Sequence, residues 1–193
     1  MKLDLGCGKT PREGFEGVDL YAPEAKHRVD LFRMPWPFAS DSVEEIHCSH
    51  FIEHVPMLYI APGEAPTPAP TSEHSKDLLI AFFDEVYRVL QPEGRAQFIW
   101  PALQSVRAFQ DPTHRRFIPG EALSYFSREW REGNGLGHYL GNCNLVVESL
   151  AFVPSPLLTQ NGQFAQPEAT IQAVNLHWNL AMDHVAVMKA VKG

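Results

Sequence analysis

Apolar positions fall into short runs near the start of the chain and into one helical stripe further on. Leu3–Leu5 and Glu16–Leu20 read as two short strands. Between them, Gly8-Lys9-Thr10-Pro11-Arg12-Glu13-Gly14 is too short and too rich in glycine and proline for a full helix, which predicts a loop. Parallel neighbours ordinarily need a longer crossover. Arg28–Leu31 reads as a third strand. Met34–Phe38 is extended, because each proline restricts the residue before it. Glu45–Cys48 is a strand, and His50–Val55 a helical start that Pro56 ends or bends. Ala61–Ser75, rich in Pro, Ala, Thr and Glu, predicts a mobile surface loop. In Lys76–Leu90, the residues Leu78, Leu79, Phe82, Phe83, Val86, Val89 and Leu90 form one apolar stripe at helical spacing. Pro92-Glu93-Gly94 stops that helix. Arg95–Trp100 then alternates, with Ala96, Phe98 and Trp100 on one face and Gln97 and Ile99 on the other. Pro119–Trp130 predicts a helix, Arg131–Asn142 a glycine-rich loop, Asn144–Phe152 a strand and Pro154–Ala169 a long loop. Ile171–Leu180 and His184–Val191 predict a closing antiparallel pair.

Strands interleaved with helices over 193 residues predict one α/β domain spanning 1–193. The hydrophobic fraction of 45% and charged fraction of 20% are those of a globular chain able to bury a core. A net charge of −7 disfavours nucleic acid as a partner, since phosphate recognition calls for Lys and Arg. No run is long and apolar enough to cross a membrane. Asp4 and the glycines after it interrupt any apolar signal core. Cys7, Cys48 and Cys143 are odd in number and widely spaced, which excludes a disulfide framework or a paired-cysteine metal knuckle. A cytoplasmic setting follows as the expectation.

The candidate chemistry begins at Gly6-Cys7-Gly8, directly after an apolar strand. A dinucleotide fingerprint needs a third glycine where this chain has Pro11, and a phosphate-binding loop needs a glycine where it has Leu3. The remaining readings are a nucleoside seat or a tight turn that merely requires two glycines. Asp4, Asp19 and Asp30 each lie within or after a short apolar segment. The C-terminal strand ends of a parallel sheet share one edge, so these acids suit a ligand with ribose hydroxyls and amino groups. The alternative for each is a helix or turn cap.

In order, Leu3-Asp4-Leu5-Gly6-Cys7-Gly8, Val18-Asp19-Leu20, Asp30-Leu31 with Pro35-Trp36-Pro37-Phe38, Ser42-Val43-Glu44-Glu45-Ile46, Ser49-His50-Phe51-Ile52-Glu53-His54-Val55 and Glu85–Gly94 resemble the class I S-adenosylmethionine-dependent methyltransferases. The likeness covers roughly the first hundred residues and is closest to small, type 11-like members with a shortened loop after the glycine motif. Glu93 stands where that family usually has glycine. The resemblance implies a Rossmann-like sheet of seven mostly parallel strands, the last antiparallel, with helices on both faces. It implies bound S-adenosylmethionine. Gly6, Cys7 and Gly8 would pack on the methionine moiety, with Asp4 in the same motif. Asp19 with Leu20 would hold the ribose, Asp30 with Leu31 would flank the adenine, and Ser49 and His50 would sit near the sulfonium.

His50-Phe51-Ile52-Glu53-His54 also matches H-x-x-E-H, the inverted zinc-protease signature, in which two histidines on one helix face hold a metal and the glutamate acts as base. Its position directly after a strand, and Pro56, argue against the long helix this needs. Phe109–Phe117 contains Asp111-Pro112-Thr113-His114-Arg115-Arg116, in which His114 is a candidate base beside His50 and the arginines a candidate anion clamp. A charged surface turn is the alternative. Trp100, Phe126, Trp130 and Trp178 are candidates for an acceptor pocket or for core and rim packing. The expected activity is methyl transfer to an unidentified acceptor, with a small molecule as the expected class. The alternatives are a non-catalytic S-adenosylmethionine-binding or scaffold protein and, behind it, a zinc hydrolase built on His50, Glu53 and His54.

Overall fold

Short strands whose alternate side chains are apolar need something to bury them, and here one helix and several turns do so over the central strands. The computed structural model describes residues 1–57, 77–139, 143–160 and 173–193. The strands are β1 (Lys2–Leu5), β2 (Glu16–Val18), β3 (Val43–Ser49), β4 (Leu90–Pro101), β5 (Leu145–Pro154) and β6 (Ala181–Ala190). The α-helices are α1 (Leu78–Val89), α2 (Val106–Gln110), α3 (Arg128–Gly133) and α4 (Pro156–Gln160), with 3-10 turns at Ile52–His54 and Gly120–Phe126. The predicted loop at 61–75 lies outside the described residues.

The sheet runs β2-β1-β3-β4-β6-β5. β1 pairs parallel with β2 and β3, and β3 with β4. β6 is antiparallel to both β4 and β5. Six strands are therefore found among the described residues where seven were expected. Arg28–Leu31 forms no strand; the chain there contributes one parallel bridge, His27 to Val18. The predicted closing pair is also corrected. β6 finds its partners in β4 and β5, while residues 173–176 are helical. The expected single helix over Pro119–Trp130 is divided into the 3-10 turn and α3, with Ser127 capping α3 through its hydroxyl.

α1 begins at Asp77, whose carboxylate accepts the Leu79 N–H, and its Phe82, Phe83, Val86 and Val89 are buried. They meet Leu3, Leu5, Ile46, Cys48, Ala96, Phe98, Trp100, Ala186 and Met188 in one core. Trp36 is pinned into it. Its indole N–H donates to Leu31 O (3.1 Å), its backbone N–H to Glu85 Oε2 (2.8 Å), and Arg88 ties Glu85 to the Trp36 and Phe38 carbonyls. Glu93 is left-handed (φ 64°), a conformation that explains why glycine suits this turn better.

The other face of the central strands carries polar side chains. Asp4, His47 and Gln97 stand in register across β1, β3 and β4. The loop 6–15 lies over them instead of a helix. Arg12 donates its backbone N–H to Asp4 Oδ2 (2.8 Å) and its Nη1 to Gln97 Oε1 (2.8 Å), with His47 Nδ1 2.9 Å from the same nitrogen. A polar row can be satisfied by a loop carrying one fork of N–H donors, so no apolar helix face is needed there.

Candidate functional site

The chain leaves β1 outward to β2 and returns on the other side of β1 to β3. The strand order therefore puts the switch point between β1 and β3, at whose C-terminal ends open α/β sheets bind ligands. Gly6 and Gly8 follow β1 in the left-handed region (φ 67° and 55°). Gly6 N–H donates to Val18 O at 2.8 Å and Gly8 N–H to Asp19 Oδ2 at 3.1 Å. A Cβ on Gly6 would lie 2.3 Å from Phe51 Cδ2, whereas one on Gly8 would face open space. Gly6 thus admits an aromatic ring, and Gly8 leaves open space where a side chain would stand.

Asp19 Oδ1 accepts the Tyr21 and Ala22 N–H groups at 2.8 and 2.9 Å. Burial raises its pKa, but the N–H donors of Ala22, Tyr21 and Gly8, with Arg28, outweigh it and hold the carboxyl below its ordinary value. It is an anion that both caps the turn after β2 and fixes the glycine turn. Its fourth lone-pair direction remains for a ligand donor. Asp30 Oδ1 accepts the Phe32 N–H at 3.0 Å. Leu31 buries its side chain in the core, and Phe32 instead stacks on Phe51 (centroids 5.3 Å, 26°). Phe32 and Phe51 are the residues that sequence reasoning did not assign. The signal was an aromatic directly after each motif. Leu20 is exposed, and Asp4 is held under the loop by Arg12. The Cys7 thiol is pushed up to about 11 by burial and by the charges of Asp4 and Asp19, which makes it a packing group and not a nucleophile.

Ser49 ends β3, and His50 follows in a left-handed conformation (φ 51°), costly for a non-glycine residue. The His50 N–H donates to Ile99 O (2.8 Å); its Nδ1 lies 3.3 Å from Glu53 Oε1 and its Nε2 3.9 Å from Asp183 Oδ2. The Glu53 hydrogen bond raises the His50 pKa; burial and Arg107 oppose it, and Asp183 adds to it. Glu53 and Asp183 are both buried, and each keeps one carboxylate oxygen without a hydrogen-bond partner. The zinc-protease arrangement is not formed. The helical turn is confined to Ile52–His54, so His50 and His54 do not share a helix face.

The segment around His114 docks directly on this turn, because Glu53 O accepts the N–H groups of Arg115 (2.7 Å) and Arg116 (3.0 Å). The His54 and His114 ring centroids are 4.8 Å apart. The anion clamp does not survive at Arg116, which is occupied by Asp77 and by the Val55 and Pro56 carbonyls. Trp100 and Phe126 are core residues, Trp130 packs on Tyr125, and exposed Trp178 approaches Phe109, which stacks on Phe117.

The fold has counterparts among solved structures. An S-adenosylmethionine-dependent methyltransferase from Archaeoglobus fulgidus superposes with a TM-score of 0.58 at 19% identity, over 97% of this chain and 85% of that one. The chain has the class I methyltransferase fold. A protein described as a putative methyltransferase from Bacillus halodurans aligns with a TM-score of 0.51 at 10% identity, over 99% of this chain and 92% of the other. The [4+2]-cyclase SpnF matches with a TM-score of 0.51 at 14% identity, over 100% of this chain and 74% of its own. The methyltransferase fold therefore does not by itself fix the reaction. No protein-family model matches the sequence, and none of the curated proteins matches it. Among the described residues no helix is long and apolar enough to cross a membrane.

Proposed function

We propose that the protein binds S-adenosylmethionine in the crevice between the loops after β1 and β3 and transfers its methyl group to a small-molecule acceptor. The observation that carries this is the tie between Gly8 and Asp19 in a turn whose Gly6 and Gly8 are left-handed, with Phe51 closing over Gly6. The groups fit the cofactor. Asp19 and Asp30 put carboxylates at this edge, which repels a phosphate ligand and favours hydroxyl, amine and sulfonium groups. When bound, S-adenosylmethionine supplies a methyl group already activated on a sulfonium.

In this reading the open space at Gly8, beside Gly6 and Cys7, receives the methionine part. Asp19 and Leu20 flank the ribose. Asp30, Leu31 and Phe32 border the adenine. Ser49 and His50 stand at the reacting end. Phe109, Phe117 and Trp178 offer the acceptor an apolar face. Much of the rate then comes from holding two reactants together and excluding water. His50 is the group placed to take a proton from the acceptor, oriented by Glu53 and Asp183.

Titration of the purified chain with S-adenosylmethionine and S-adenosylhomocysteine tests the binding. Asp19→Ala should weaken both by about 10- to 100-fold, the loss of charge-assisted hydrogen bonds. Unchanged affinity in a folded variant overturns the placement. With an acceptor in hand, His50→Gln should lower kcat by roughly 100-fold or more while leaving cofactor affinity within about threefold, as removal of a general base does. Cofactor binding without turnover over a broad acceptor panel would favour a non-catalytic binding protein.

A further inference from the structure

We infer that Glu53, His54 and His114 form a binding site for one divalent transition-metal cation, of the Zn²⁺ class, with an open coordination position. One ligand atom from each of the three residues lies within 4.8 Å of the others. They come from two segments about sixty positions apart, held together by the Arg115 and Arg116 amides on the Glu53 carbonyl.

The hydrogen bonds fix which atoms are free. Thr113 Oγ1 donates its one proton to Asp111 Oδ1 at 2.6 Å, so at 3.1 Å from His54 Nδ1 it must accept. A neutral His54 ring therefore carries its proton on Nδ1 and its lone pair on Nε2. His114 Nδ1 is 2.8 Å from Ala108 O, a carbonyl that only accepts, so its lone pair is also on Nε2. This is the neutral form of histidine that ligates metals, with the second nitrogen anchored as ligating imidazoles are. The third ligand is a buried carboxylate. Glu53 is 2% exposed; its Oε1 is engaged by His50, and its Oε2 has no partner. A buried anionic oxygen left bare is costly, and a cation between it and the two imidazoles removes that cost.

Two imidazoles and one carboxylate select Zn²⁺ and its first-row neighbours over Mg²⁺ or Ca²⁺, which prefer all-oxygen sites. Three protein ligands leave a position for water or for an acceptor oxygen, as at catalytic zinc sites. Bonds of about 2.0–2.2 Å place tetrahedral ligands about 3.3 Å apart, so the three donor groups draw together on loading. Asp111, whose Oδ2 is 3.9 Å from His114 Nε2, adds negative charge at the rim. In this assignment His114 is a ligand, not a base. That the open position receives the methyl acceptor rests on the methyl-transfer reading; the metal site itself does not.

The test uses the whole chain, stripped with chelator and titrated with ZnCl₂ by calorimetry and with CoCl₂ by visible absorption. One equivalent should bind at micromolar or lower concentration, Co²⁺ should show the d–d bands of a four- or five-coordinate N₂O site, and Zn²⁺ should raise Tm. His114→Asn and Glu53→Gln should each weaken Zn²⁺ at least tenfold, with S-adenosylmethionine affinity in His114→Asn unchanged. Should Glu53→Gln fail to fold, His114→Asn, from the docked loop, carries the same test. Absence of binding at 100 µM Zn²⁺, or full retention of binding in His114→Asn, overturns the site. Zinc binding without S-adenosylmethionine binding would sink the methyl-transfer reading and leave the metal site standing.

Discussion

Gly6→Ala should abolish measurable cofactor binding and cost about 2–3 kcal/mol of stability, by adding a left-handed alanine and an overpacked contact. The new Cβ would stand 2.3 Å from Phe51 Cδ2 and 2.7 Å from its Cγ. The ring cannot retreat freely, since it stacks on Phe32 and packs on Phe82 at 5.8 Å. Displacing it moves His50, one residue earlier, and opens the wall between the loops after β1 and β3. A denaturant titration gives the stability change and calorimetry the affinity. Phe51→Leu in the same chain should recover part of the stability because the two changes relieve one clash, a coupling that a double-mutant cycle reads directly. Additive losses would show that Phe51 is not what Gly6 accommodates.

Phe83→Ala should remove about 3–5 kcal/mol, the cost of truncating a fully buried aromatic and leaving a cavity. Phe83 stacks on Phe126 at 4.0 Å and touches Phe98 at 5.1 Å and Phe82 at 5.8 Å. It joins α1 to β4 and to the 3-10 turn Gly120–Phe126, so no single neighbour can collapse into the void. A loss of this size is a large share of the stability of a small domain. The midpoint in urea should fall with an unchanged slope. A loss below 1 kcal/mol would mean that the turn at Gly120–Phe126 closes over the gap.

Where a segment settles its own structure, the chain is readable. The stripe from Leu78 to Leu90 needs only its spacing to specify α1, observed over Leu78–Val89. Gly6 and Gly8 announce left-handed positions because other residues pay a steric penalty there. The short run after Gly8 correctly excludes a helix. Alternation in β4 was also legible, and carried further it shows the half-open sheet. Lys2-Leu3-Asp4-Leu5 and Glu45-Ile46-His47-Cys48 alternate as well, whereas parallel strands covered on both sides read as unbroken apolar runs. Arg28–Leu31 failed as a strand because an edge segment gains only one side of pairing, and here a single bridge suffices.

By itself, then, the sequence determined the glycine turn, the acid after β2, the central helix and the alternating strands, because each is decided by backbone sterics or by the burial of one face within a few residues. The tertiary structure alone decided which distant groups meet. It set β6 between β4 and β5, turned Leu31 into the core in favour of Phe32, bound Arg116 to Asp77, and brought His114 onto Glu53 and His54. Those pairings depend on where loops fall along a shared sheet edge. That is a property of strand order, and no local period in the chain encodes it.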